Sequence, residues 1–264
     1  MKKSVLILSL LFVVSQINAQ QKTYFPTANS WEHKSLVSVG VDSVKLQQAI
    51  DFAIANETKS PKNLWLTQAI QFGKEPYSDP VGPMANRTGA KGIIIHKGYI
   101  IASWGEVDQV EMVNSVTKSF LSTVVGLAFQ KGLIQSLDDK VYPYVPPIEV
   151  YHPTSEVVTN VIDRQSFIYP FSSEHNKKIT WNHLLRQTSD WEGELWGKPD
   201  WADRPSDKFE EWSLNKRYEP GTHYKYNDTR VNALALATTA VLHKPIPEVF
   251  RQEIMNPIGA SNTW

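Results

Sequence analysis

Ser115 and Lys118 have the residue types and the spacing to carry out nucleophilic chemistry. They stand three positions apart in the run NSVTKSF at 114–120. Side chains three positions apart share a face of a helix, so the lysine amine can reach the serine hydroxyl. A serine hydroxyl needs a neighbouring base to take its proton, and an amine is a base only while it is uncharged. The pattern therefore makes Ser115 a candidate nucleophile and Lys118 its candidate base, provided that the lysine is uncharged.

The serine-to-lysine spacing by itself is a weak indicator. The same spacing occurs at Ser213 and Lys216, in a stretch where no helix is predicted. Ser115 could also be an ordinary helix N-cap, and Lys118 a solvated charge on a helix surface. Whether Ser115 is a nucleophile or an ordinary helix cap therefore depends on the secondary structure predicted around it.

A β-hairpin and a helix are predicted directly around Ser115. Residues 92–96 and 99–104 are isoleucine-rich runs joined by a Lys-Gly turn, which is typical of a hairpin. From 115 to 130 apolar residues recur on one side, as in an amphipathic helix, and Gly132 is suited to end that helix. Ser115 would then lie at the start of a helix, where backbone N–H groups can stabilise a developing oxyanion.

The rest of the chain is predicted to form helices separated by long loops. Further helices are predicted from Asp42 to Ala55, after Thr180, from Thr229 to Leu242 and from about Pro247. Loops are predicted at about 57–90, 138–178 and 188–222, and no strand is predicted after Trp104. The last loop carries tryptophans at 191, 196, 201 and 212, which fit packing of the loop better than the lining of a cleft.

Four segments, taken in order, resemble the serine β-lactamase and penicillin-binding-protein superfamily, in particular its class C and esterase-like branch. They are NSVTKSF at 114–120, GLIQSLDD at 132–139, ITWNHLLRQTS at 179–189 and PGTHYKYND at 220–228. The resemblance covers roughly residues 90 to 264. It implies an α+β fold in which an antiparallel sheet packs with a helical domain, with only the N-terminal hairpin of that sheet present here.

The resemblance implies roles for residues at the matching positions. Ser115 would be the nucleophile that forms the acyl-enzyme, and Lys118 would be its partner base. Tyr226 matches the tyrosine of the family's Tyr-x-Asn motif, which helps to move the proton between nucleophile and leaving group. The third position of that motif is Asp228 instead of Asn. Asp228 could pair with Lys118 and keep it charged, cap the helix beginning at Thr229, or take part in substrate binding.

The resemblance also implies a third motif, which is not found after Asp228. In the family it is a Lys-Thr-Gly or His-x-Gly strand that lines the site and donates the second oxyanion N–H. We therefore expect residues 20–264 to be a partial domain that lacks the C-terminal strands. The predicted function is hydrolysis of a small ester or amide through an acyl-serine. The alternative is a non-catalytic secreted binding or peptidoglycan-associated protein on the same scaffold, favoured by the missing strand and by Asp228.

Composition and the N-terminus bound the remaining possibilities. The 27 basic and 27 acidic residues give no net charge, so a nucleic-acid partner is not expected. Two lysines, an apolar run at 5–14 and Ala19 predict a signal peptide at 1–19, and hence a periplasmic or secreted protein. No second apolar run is long enough to span a membrane. The chain has no cysteine, no metal-ligand spacing of histidines and no phosphate-binding glycine loop, so neither a metal nor a cofactor is expected.

Overall fold

A computed structural model of the chain describes two compact units. The described residues are 24–27, 30–80, 82–151, 165–195, 197–205, 208–211 and 216–261. The first unit consists of the described parts of Met1–Lys59, Thr88–Val110 and Gly259–Trp264. The second unit consists of the described parts of Ser60–Arg87 and Glu111–Ile258. The predicted signal peptide at 1–19 lies outside the described residues.

Among its described residues, the first unit contains an α-helix, a hairpin and a short 3-10 turn at Val37–Val39. Helix α1 spans Ser43–Ala55, and the Asp42 carboxylate caps it by accepting hydrogen bonds from the first backbone N–H groups. Strands β1, Gly92–His96, and β2, Tyr99–Trp104, pair antiparallel. The turn residues between them have φ values of 50° and 87°, the left-handed conformation that a tight hairpin turn requires. The structure thus confirms the helix and the hairpin predicted for this part of the chain.

The second unit contains most of the helices. They are α2, Leu64–Phe72; α3, Thr117–Gln130; α4, Trp181–Leu185; α5, Asp228–Leu242; and α6, Ile246–Phe250, which runs into a π-helical turn at Arg251–Met255. Helices α3 to α6 match predictions to within one or two residues. Helix α2 does not, because the stretch at 57–90 was predicted to be a loop. The Asn63 side chain caps α2, and the prolines and glycines on both sides concealed this short apolar segment.

Two small antiparallel sheets show that the prediction of no strand after Trp104 was wrong. Strand β3, Ile148–Tyr151, pairs with β4, Gln165–Ile168, and strand β5, Glu194–Leu195, pairs with β6, Lys198–Pro199. The prolines at 146 and 147 come just before β3, so they do not interrupt its ladder of hydrogen bonds. Helices combined with small antiparallel sheets agree with the predicted α+β class.

The core of the second unit holds α3, α4 and α5 together. Its buried side chains include Leu121 and Val125 of α3, Trp181 of α4 and Ala237 of α5. Trp191 belongs to the same core and is 1% exposed, which confirms the packing interpretation for this tryptophan. Tryptophans 196 and 212 lie outside the described residues. Because the core joins the bodies of α3 and α5, it fixes the spacing between the starts of these two helices.

Candidate active site

Ser115 lies in the turn that leads into α3. Residues Asn114–Val116 form one turn of 3-10 helix, and α3 follows directly. Asn114 has a φ of 45°, a left-handed conformation that asparagine tolerates better than most residues. No side chain caps the start of this turn or of α3. The ordinary N-cap interpretation of Ser115 is therefore wrong, and its exposed hydroxyl can contact other groups.

The hydroxyl of Ser115 contacts both residues predicted to act with it. Its Oγ lies 2.7 Å from the Tyr226 hydroxyl. The Lys118 amine donates a hydrogen bond to the same Oγ at 3.3 Å. Ser115 and Tyr226 are 111 positions apart in the chain, so only the packing of α3 against the segment before α5 brings them together. The structure thus places the three predicted side chains in one site.

Asp228 pairs with Lys118 and does not cap a helix. The Asp228 Oδ1 atom lies 2.7 Å from the Lys118 amine nitrogen. The N-cap of α5 is Asn227, whose side chain accepts a hydrogen bond from the Arg230 N–H at 2.8 Å. The prediction that the helix begins at Thr229 was thus one residue late. Asp228 stands in the first helical turn, where its negative charge interacts favourably with the helix dipole.

The charge of Lys118 differs from the sequence prediction of an uncharged base. Partial burial of the amine lowers its pKa, but hydrogen bonds to Asp228 and Tyr226 and their charge interactions raise it. The sum of these effects is a pKa above the ordinary lysine value. Lys118 is accordingly a cation at neutral pH. In this arrangement it donates a hydrogen bond to Ser115 and lies 4.7 Å from the centre of the Tyr226 ring.

Arg204 is a site residue that sequence reasoning missed. Its guanidinium carbon lies 4.3 Å from the centre of the Tyr226 ring, and its Nη1 atom lies 3.6 Å from Asp228 Oδ2. It follows Asp203 in a loop without a recognised motif. No periodicity or spacing in the sequence links position 204 to position 226, so no sequence signal could have found it.

A buried polar network behind Tyr226 holds its segment in place. Asn227 is fully buried and donates from its side chain to the Asp200 carbonyl at 2.8 Å. The Asn227 backbone N–H donates to the side chain of Gln187 at 3.1 Å. Arg230 pairs with Asp190 at 2.5 Å and with Asp200 at 3.3 Å. These contacts position Tyr226. Sequence reasoning missed the acidic members, because Asp190 in a loop and Asp200 at the start of a 3-10 turn belong to no recognised motif.

A cleft of about 590 Å³ opens beside Ser115. Ser115, Lys118 and Asp228 line one part of it, and residues of α2 line another. Helix α2, which the sequence analysis did not predict, therefore helps to shape the space where a substrate would lie. Among the described residues, no cluster of three or more His, Asp or Glu side chains could hold a metal ion.

Comparison with known proteins identifies the family. The family model described as Beta-lactamase matches residues 82–264, which is more than half of the chain. The chain therefore belongs to this family, as the resemblance of its four segments predicted. A search of the curated proteins finds no match.

In the part of the chain that the structure describes, no helix has both the length and the apolar character needed to cross a membrane.

Proposed function

We propose that this protein is a serine hydrolase that transfers acyl groups from esters or amides to water. The observation that carries the proposal is the contact of one exposed serine hydroxyl with both a tyrosine hydroxyl and a lysine amine, at 2.7 and 3.3 Å. Membership of the Beta-lactamase family supports acyl transfer in general terms. The cleft beside Ser115 supplies room for a small substrate.

In the first half of the reaction, Ser115 forms an ester with the acyl group. In its phenolate form Tyr226 takes the proton from Ser115 Oγ, and the neighbouring Lys118 cation offsets the negative charge. Oγ attacks the substrate carbonyl carbon, and the carbonyl electron pair moves onto its oxygen. The 3-10 turn that carries Ser115 makes its first backbone hydrogen bond from the Val116 N–H, so N–H groups before Val116, at the start of this turn, are suited to stabilise that oxyanion. The carbonyl then re-forms, the bond to the leaving group breaks, and Tyr226 returns its proton to the leaving group.

In the second half, water releases the acyl group. Tyr226 takes a proton from water, and the resulting hydroxide attacks the carbonyl carbon of acyl-Ser115. The tetrahedral intermediate collapses by breaking its bond to Ser115 Oγ, and Tyr226 returns the proton to that oxygen. The net reaction is ester or amide plus water to carboxylic acid plus alcohol or amine.

We further propose that residues 1–19 direct export of the protein before it acts.

The test is covalent labelling with a fluorophosphonate, which reacts with activated serines. We expect the wild-type chain to gain one label, mapped by mass spectrometry to Ser115. The Ser115→Ala variant is expected to gain none, because alanine has no nucleophile. Ser119→Ala is the matched control, since it removes a hydroxyl from α3 one turn further along and should leave labelling unchanged. Labelling that persists in Ser115→Ala would reject Ser115 as the nucleophile.

The Lys118–Asp228 ion pair favours a second candidate function. A cation held by a carboxylate at 2.7 Å beside the serine would suit ligand binding without turnover. In that case the protein would be a binding protein on a hydrolase scaffold. Its signature would be no labelling of the wild-type chain by a fluorophosphonate, together with saturable binding of a small ester or amide. Turnover of p-nitrophenyl acetate that depends on Ser115 would exclude this alternative.

A further inference from the structure

We propose that Arg204 is a positioning residue that, together with Lys118, orients Tyr226 and stabilises negative charge on its oxygen. The inference rests on the proposed function, in which Tyr226 takes the proton of Ser115. It goes beyond that function because nothing in the sequence motifs or in the family match assigns a role to Arg204. Four observations in the second unit carry it.

The first observation is that two cations lie close to one ring. The Arg204 guanidinium carbon is 4.3 Å from the centre of the Tyr226 ring, and the Lys118 nitrogen is 4.7 Å from the same centre. Both distances are within the range of about 6 Å in which a cation interacts favourably with an aromatic ring. A cation this close also stabilises a phenolate, since opposite charges attract strongly where water is partly excluded.

The second observation is that one carboxylate joins the two cations. Asp228 Oδ1 lies 2.7 Å from Lys118, and Oδ2 lies 3.6 Å from Arg204 Nη1. The two oxygens of a carboxylate are held at a fixed separation, so Asp228 sets the spacing of the cations. It also offsets the repulsion between them. Asp228 therefore belongs to the arrangement as the link between Lys118 and Arg204.

The third observation is that Arg204 is held at both its backbone and its side chain. Its φ is 49°, a left-handed conformation that arginine rarely adopts. Its backbone N–H donates to Glu75 Oε1 at 3.2 Å. Its Nη1 donates to both oxygens of the buried Asp203 carboxylate at 3.4 and 3.3 Å. Asp203 in turn accepts from the Asp228 N–H at 2.5 Å, which ties the Arg204 loop to the start of α5.

The fourth observation is that another cation in the same cleft lacks these contacts. Lys198 lines the cleft and pairs with Glu75 at 3.3 Å and with Asp203 at 4.0 Å. The described residues show no ring contact between Lys198 and Tyr226. Lys198 thus shares the charge and the surroundings of Arg204 but not its place over the ring, and it provides a matched control.

The experiment is the pH dependence of the rate at which a fluorophosphonate labels Ser115. Removing the Arg204 charge in Arg204→Gln should move the midpoint of the rise in rate upward by about one pH unit, because the phenolate loses a nearby cation. The maximal rate should also fall, by about tenfold, because the ring is held less firmly. Arg204→Lys keeps the charge but loses the planar group that lies over the ring, so its midpoint should shift less than that of Arg204→Gln. Lys198→Gln should shift it less than Arg204→Gln does.

Each outcome decides the inference. An unchanged midpoint in Arg204→Gln, with or without a lower maximal rate, would overturn it and leave Arg204 a structural role only. A shift in Lys198→Gln as large as that in Arg204→Gln would also overturn it, since any cation in the cleft would then serve. If circular dichroism shows that Arg204→Gln does not fold, Arg204→Met, which also removes the charge, takes its place, and an unchanged midpoint there contradicts the proposal. A wild-type chain that is not labelled at Ser115 would overturn the proposed function itself, and this inference with it.

Discussion

Two clusters of charged residues in the second unit differ in their exposure to water. The buried cluster consists of Asp190, Asp200 and Arg230, with Arg217, 30% exposed, at its edge; the cleft cluster consists of Lys118, Arg204 and Asp228. The side chains of Asp190, Asp200 and Arg230 are at most 8% exposed. Those of the cleft cluster are 24%, 37% and 45% exposed. Both clusters combine acids and cations, but they differ in function.

The difference shows how burial separates a structural charge from a functional one. Removing a charge from water is costly, so a buried charge is tolerated only when its partners are in place. Asp200 meets this condition, because it accepts from both Arg217 and Arg230. In the cleft, a single carboxylate is shared by two cations that still contact water. The buried cluster can hold a loop, whereas the cleft cluster keeps the capacity to respond to a substrate or a proton.

The largest expected effect comes from opening the buried cluster with Asp200→Ala. This change leaves the buried Arg230 with one of its two acids, Asp190, and leaves Arg217 with Glu192 at 3.4 Å. The free energy of unfolding should therefore fall by about 3–5 kcal/mol. Urea denaturation followed by tryptophan fluorescence measures it. Lys131→Met is the control, since it breaks a pair whose side chains are 40% and 42% exposed and should cost less than about 1 kcal/mol. Equal losses in the two variants would remove the distinction between the clusters.

A smaller effect is expected from Asp228→Asn in the cleft cluster. The change removes the carboxylate that raises the pKa of Lys118, so that pKa should fall. The folded pKa of Lys118 lies above the unfolded value of about 10.4. Its ion pair therefore stabilises the fold fully below that pH, and this stabilisation is lost as the pH rises through the folded pKa. Because both side chains contact water, the change in stability at neutral pH should stay below about 1 kcal/mol.

NMR titration of the Lys118 side chain and urea denaturation at neutral and alkaline pH measure these two effects. Asp228→Asn should lose less stability than wild type as the pH rises beyond about 10.4. Glu253→Gln is the control: it breaks the ion pair between Lys131 and Glu253, which lies outside the cleft cluster, and should leave the pKa of Lys118 unchanged. If the pKa of Lys118 were the same in wild type and Asp228→Asn, the cleft cluster would not control the charge of the amine.

The smallest effect is expected from His183→Gln in α4, outside both clusters. Burial, followed by the nearby Lys140 cation, lowers the pKa of His183. The neutral imidazole therefore contributes stability that is present above the unfolded pKa of about 6.5 and is lost as the pH falls through the folded pKa. His183→Gln should lose less stability than wild type between pH 7 and pH 5, measured by urea denaturation. An unchanged pH dependence would show that His183 does not contribute to acid sensitivity.

The sequence predicted well the helices and strands that are determined by residues close together in the chain. The hairpin follows from two isoleucine-rich runs and a Lys-Gly turn, and α3 and α5 follow from apolar residues at helical spacing. Helix α2 and the pair β3–β4 were missed because prolines and glycines nearby favour loops in isolation. Helix α2 has no buried residue and begins at the local Asn63 cap, so the turn-forming residues around it outweighed this cap in the prediction.

The three predicted site residues were found by two different routes. The spacing of Ser115 and Lys118 lies within one helical turn, so elementary geometry predicts their contact. Tyr226 was found through the resemblance to the family, because it stands 111 positions from Ser115. The roles of all three, the substrate role of Asp228, the signal peptide at 1–19 and the lack of C-terminal strands stay predictions.

The spacing of the serine and the lysine, the tyrosine motif and the family of the chain could all be read from the order of its residues. The raised pKa of Lys118, the cap of α5 by Asn227 and the place of Arg204 over the Tyr226 ring became known from the folded chain. Charge and burial depend on every group within a few ångströms. Here those groups come from loops and helices that the buried core brings together from distant parts of the chain.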